Sequence, residues 1–227
     1  MNRLMDPGYH AVETGYGVDP DGVQYAACLT DMPGIAAEMI DWWFAWHPLH
    51  GMRYRIWFPP GHYGVSVATP EKCKDRSLSY RERYWHNKHT VIEDVGNGTQ
   101  KLMIVFVPPE EFGFDVSRFD EAKVGTVVCA NVGSPEILGG IFFTKMCHFV
   151  RETAEGVEIR SRFWIGQDIV KEGKEEGAFI NRLLNTRFFK RRALPRVAHH
   201  VARHCAAEYT NLAFLLPRLF GEYRDRF

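Results

Sequence analysis

Val197-Ala-His-His-Val-Ala-Arg-His-Cys-Ala-Ala-Glu-Tyr-Thr-Asn-Leu212 is the stretch that decides the fold. Val197, Val201, Cys205 and Leu212 recur at helical spacing, and Ala198, Ala202, Ala206 and Ala207 keep that helix slim. Pro195 suits the first turn, which gives a helix over residues 195–216. His204 and Glu208 lie four residues apart, so an imidazole and a carboxylate project from one face toward one point. That is half of a zinc site, and about two further ligands would have to come from distant segments. The same spacing also arises in a plain hydrogen-bonded pair on a helix. His200, four residues before His204, offers a third arrangement, a His200, His204 and Glu208 stripe.

Upstream of this helix the pattern is that of strands. Apolar alternation predicts strands at residues 90–95, 102–107, 125–130, 140–151 and 157–165. Asn97-Gly98 and Glu155-Gly156 are the hairpin turns between them. Residues 53–58 alternate as a further strand, broken by Pro59-Pro60-Gly61, and the polar residues 71–88 read as a long loop. A helix is expected at 35–46, where Met39, Trp42, Trp43 and Trp46 form a broad apolar face that ends at Pro48, and another at 178–189. Residues 1–32 form an N-terminal extension hugging the surface, with one short strand at 23–29. Residues 33–227 form a single domain. Helix, antiparallel sheet and long terminal helix make an α+β fold, a curved sheet wrapped around the C-terminal helix with a ligand cavity between them.

The chain has 227 residues, ample for one large core. Twenty-eight basic residues balance twenty-eight acidic ones, so no long-range field draws it to nucleic acid or an anionic membrane. No apolar run approaches the ~20 residues of a membrane span, and no N-terminal signal segment is evident. Five cysteines without CxxC pairing fit a reducing, cytoplasmic setting and argue against metal binding through sulfur.

Ten histidines invite assignment. His47 and His50 flank Pro48 at a spacing that suits a metal, but aromatic neighbours favour packing or support of a site. His86 and His89 lie in the polar loop and are expected to be exposed.

Asp31-Met-Pro-Gly, Asp41-Trp-Trp-Phe-Ala-Trp-His, Arg53-Tyr-Arg-Ile-Trp with His62, and His204-Cys-Ala-Ala-Glu-Tyr-Thr-Asn-Leu together resemble the 2,4-diacetylphloroglucinol hydrolases, a family that includes phloretin hydrolase. The resemblance runs from about residue 15 to residue 216. It implies a Bet v 1-like, helix-grip fold and a zinc-dependent hydrolase that removes an acyl group from a polyhydroxylated ring, with a small phenolic aryl ketone as substrate. The implied zinc ligands are His62, Glu93, His204 and Glu208. Tyr54 and His148 match family residues that bind substrate oxygens or move protons. Val65 stands where the family has an asparagine, and Phe163 where it has a second tyrosine, so this substrate-binding wall is more apolar here. The family's longer N-terminal arm, which contributes to dimerisation, is shorter in this chain, and a homodimer is carried as an expectation. Two other readings stay open on sequence alone: a non-catalytic carrier of a hydrophobic ligand, and a zinc esterase or lactonase.

Overall fold

The computed structural model describes residues 1–174, 178–194 and 196–226. Eight strands, β1 (Gly15–Val18), β2 (Gln24–Pro33), β3 (His62–Val67), β4 (Lys88–Asp94), β5 (Thr99–Val107), β6 (Val124–Ser134), β7 (Ile141–Glu152) and β8 (Gly156–Lys171), form one sheet. Their order is β1-β2-β8-β7-β6-β5-β4-β3, and every neighbouring pair is antiparallel. The helices are α1 (Ala37–Trp46), α2 (Gly51–Trp57), α3 (Pro70–Lys74), α4 (Tyr80–Tyr84), α5 (Pro109–Phe112), α6 (Phe179–Leu184), α7 (Arg187–Ala193) and α8 (Ala198–Tyr223). The expected α+β helix-grip architecture is thus observed, with the long α8 packed against β1, β2 and β8 while α1 crosses β6 and β7.

One face of the sheet and these helices share the main core, in which Trp42, Trp43, Phe106, Tyr209 and Leu212 are buried. The opposite face is sealed by a 3-10 turn at Asn2–Met5 and by α5, with Leu4, Phe112, Phe114 and Phe149 between. The β4–β5 turn is built as expected around Asn97-Gly98. Gly96 and Gly98 take φ of +112° and +102°, and the Asp94 carboxylate accepts from both backbone N–H groups. A Cβ on Gly96 would meet His200 Nδ1 at 2.7 Å, so His200 packs on this turn.

Five expectations change. Residues 53–58 are not a strand: α2 runs through them, started by His50, whose Nδ1 accepts from Met52 N–H. The loop at 71–88 contains α3 and α4, the latter opened by a capping box between Ser79 and Glu82. The N-terminal stretch contributes two sheet strands, because β2 pairs with β8 along its whole length. The helix at 178–189 is two helices: Asn185 exchanges hydrogen bonds with the Ile169 backbone and Thr186 caps α7. Pro195 lies outside the described residues, and α8 extends beyond residue 216 through Pro217 to Tyr223.

Candidate active site

Three elements bring the site together. On β4 alternation turns His89, Val91 and Glu93 inward. Antiparallel register sets His62, the first residue of β3, directly opposite Glu93. From α8, one turn apart, come His204 and Glu208. His62 Nε2 lies 3.1 Å from His204 Nε2, 3.4 Å from a Glu208 oxygen and 4.0 Å from a Glu93 oxygen. His204 Nε2 is 3.7 Å from Glu208. His62, His204 and Glu208 form a buried group able to hold a metal ion, their ligand atoms all within 4.8 Å of one another.

The donor chemistry fits a cation. A carbonyl oxygen can only accept, so His62 Nδ1–H donates to the Tyr54 carbonyl at 3.1 Å and leaves Nε2 as a lone pair facing the cluster. The Tyr54 ring stacks flat on His62, 4.0 Å away and 4° from parallel, and its O–H donates to Glu93. Burial lowers His62 to about 4 against the opposing pull of Glu93, and it lowers His204 as well. Burial pushes Glu208 up to about 8, opposed by His204 and reinforced by Glu93. Among the described residues no lysine or arginine is paired with Glu208. Two neutral imidazoles and two crowded carboxylates are a donor set that a divalent ion would neutralise.

The cluster lines a cavity of about 420 Å³ between α8 and the sheet. Its walls are largely apolar, with Phe44, Leu102, Ile104, Phe106, Met146 and Ile165 among them. Of the residues proposed from sequence, Tyr54, His62, Glu93, His148, Phe163, His204 and Glu208 all line this cavity. Val65 is not among the lining residues; it is half-buried against the main core. His148 is buried beside Phe163 and Tyr209 with Nδ1 2.8 Å from the Ser161 hydroxyl. Burial lowers it to about 3, so it does not titrate near neutrality.

The other histidines separate cleanly. His50 is exposed at the start of α2, and His86 is exposed in an ion pair with Glu111. His89, expected at the surface, is buried because it is an inward residue of β4. His47 and His89 line the cavity and were missed as candidates for contact with a ligand. The signal for His89 was its two-residue spacing to Val91 and Glu93.

A helix-grip protein whose ligand-sized cavity is lined by two imidazoles and two carboxylates is built to act on a small molecule. The chain belongs to the family described as the DAPG hydrolase PhiG domain, whose model matches residues 1–221. It is 34% identical over 219 residues to the phloretin hydrolase of Eubacterium ramulus, covering 94% of this chain and 73% of that protein. It is 31% identical over 229 residues to the 2,4-diacetylphloroglucinol hydrolase of Pseudomonas protegens, covering 98% of this chain and 72% of that protein. Among solved structures it is similar to Ara h 8.0201, with a TM-score of 0.46, 8% identity and coverage of 86% of this chain and 99% of that one.

Proposed function

We propose that the protein is a zinc-dependent hydrolase that cleaves the carbon–carbon bond between an acyl group and a polyhydroxylated aromatic ring. The observation that carries this reading is the convergence of His62, Glu93, His204 and Glu208 on the wall of an apolar cavity. Membership of the hydrolase family and the names of both relatives support it. Zinc bound by these four residues would supply Lewis acidity toward a carbonyl or phenolic oxygen and an acidified water.

The chain's own groups account for the rest. Phe44, Phe106 and Phe163 offer apolar surface to an aromatic ring and keep bulk water out. Tyr54 holds Glu93 in place through its O–H and His62 through its carbonyl and ring face. His148, kept neutral and tied to Ser161, is a fixed hydrogen-bonding partner for a substrate oxygen. The ring carbon bearing the acyl group takes a proton on tautomerisation. Water oxygen then bonds to the acyl carbon, the electron pair of the carbon–carbon bond passes to the ring as an enolate stabilised by its oxygens, and one proton of the water passes to a ring oxygen. The products are a carboxylic acid and the deacylated polyphenol. Phe163, where the family resemblance places a tyrosine, favours a substrate with fewer ring hydroxyls at that wall or a larger apolar acyl group.

Metal analysis of the purified protein beside Glu93→Ala and His204→Ala tests the site. Zinc near one per chain, lost in both variants, is expected; unchanged metal content in both would sink the assignment. The reaction is followed by loss of aryl-ketone absorbance across acylphloroglucinols and dihydrochalcones. A zinc-loaded protein that leaves every ketone intact but splits aryl esters, or that only binds the ketones, would overturn the carbon–carbon reading.

A further inference from the structure

Two cavity-lining imidazoles, His47 and His89, play no part in the site described above. His47 lies in the 3-10 turn after α1, with Nδ1 2.7 Å from the Trp43 carbonyl. The carbonyl only accepts, so Nδ1 carries the hydrogen. Trp43 and Tyr54 both stack on the ring, with centroids 5.3 Å and 5.8 Å away, and help to fix its direction. In the neutral ring Nε2 is then a bare acceptor, and among the described residues nothing donates to it. Burial and the neighbouring His89 hold His47 well below the ordinary imidazole range.

His89 is 1% exposed and touches Phe106 at 4.8 Å and His47 at 6.0 Å, edge to face. Its Nε2 is enclosed without any hydrogen-bond partner. Burial lowers it to about 3, so it too is neutral. Nε2 is closed to a ligand, but His89 lines the cavity and among the described residues nothing bonds its other nitrogen, Nδ1, so Nδ1 is the atom that a ligand hydroxyl would meet. Phe44 and Phe106 stand beside the pair as apolar surfaces of the size of a benzene ring.

We propose that His47 and His89 form a subsite for two hydroxyls of one aromatic ring, with His47 Nε2 accepting from the first and His89 pairing with the second. The subsite selects a polyphenol over its counterpart without hydroxyls. A hydroxyl both donates and accepts, so it satisfies His89 in either tautomer, whereas an aryl fluoride offers His47 no hydrogen at all. The inference rests on the hydrolase reading only for the identity of the natural ligand; the pairing itself follows from the two rings.

Calorimetric binding of 1,3,5-trihydroxybenzene and of 1,3,5-trifluorobenzene tests it in wild type, His47→Phe and His89→Phe. Each variant is expected to weaken the triol by about tenfold or more while binding the fluoroarene at least as well as wild type. His47→Gln, which keeps a hydrogen-bonding group near the Nε2 position, should retain most of the triol affinity and guards against a variant that merely misfolds. Equal losses for both probes, an unaffected triol, or a wild type that does not bind the triol would each overturn the subsite. A protein that shows the expected pattern yet cleaves no acylated phenol refutes the hydrolase reading and leaves the subsite standing. One that cleaves acylated phenols with both phenylalanine variants indifferent refutes the subsite alone.

Discussion

Tyr54 holds together the sheet half of the site, since one side chain stacks on His62 and donates to Glu93. Burial, and then the Glu93 charge, raise its hydroxyl well above 10, so the proton stays on the tyrosine at neutral pH. Tyr54→Phe should therefore keep the stacked ring and the fold but free the Glu93 carboxylate. Metal affinity or kcat/KM is expected to fall about 10- to 100-fold, with a melting temperature close to wild type; a variant with full activity would remove Tyr54 from the machinery. At this scale the sequence was readable where one local rule applied. His204 and Glu208 follow from a four-residue step on a helix, yet nothing local prefers His62 to His50, or Glu93 to Glu82. Those choices came from the family resemblance, and the His62–Glu93 register shows why no spacing rule could make them: the partners meet across a strand pair 31 positions apart. His89 was misjudged because polar neighbours in sequence say little about which face of a strand is covered.

Helix α2 shows the same limit for an element. Arg53-Tyr-Arg-Ile-Trp alternates like a strand, but Tyr54 and Trp57, three apart, also share a helix face, and both are buried. A seven-residue segment cannot separate these periods; the His50 cap and the packing of α2 on β3 do. The long strands β6, β7 and β8 and helix α8, with many turns or alternations each, were legible to within a few residues except at the C-terminal ends of β6, β8 and α8. What positions α2 is Asn211 on α8, whose side-chain N–H group donates to the carbonyls of Ile56 and Trp57 at 2.9 and 2.7 Å. These are end-of-helix acceptors without intrahelical partners. Asn211→Ala should cost about 1–3 kcal/mol in chemical denaturation, and it should also raise KM, since α2 carries Tyr54. A variant as stable as wild type would show that water replaces the amide.

For the molecule as a whole, the far face of the sheet depends on charge. Arg160 and Arg162 of β8 are buried beneath the N-terminal segment, where Glu13 pairs with both. Burial raises the Glu13 carboxyl, but hydrogen bonds from Arg160, the His10 backbone and Arg162 outweigh it and bring it down to about 2. A carboxyl depressed in the folded state stabilises the fold above its unfolded value of about 4.5 and loses that contribution as pH falls toward 2. Glu13→Gln should destabilise by about 3 kcal/mol at pH 7, because two buried guanidinium groups lose their counter-charge, and should flatten stability against pH in that acid window. An unchanged acid limb in urea titrations would exclude this clamp. The opposite face is fastened differently, and here the proposed zinc has a structural consequence. Its ligands come from β3, β4 and α8, so an ion would tie the C-terminal helix to the sheet edge farthest from the β1, β2 and β8 strands on which that helix packs. An ion at 100 times its dissociation constant adds about 2.7 kcal/mol to the folded state. For a chain of this size that corresponds to roughly 5–10 °C in melting temperature. Stripping with a chelator should lower the transition by that amount, and stoichiometric zinc should restore it. Glu208→Gln, which loses a ligand while keeping the side-chain volume, should melt alike with and without chelator. A chelator shift as large in that variant as in wild type would place the stabilising ion somewhere other than between α8 and the sheet.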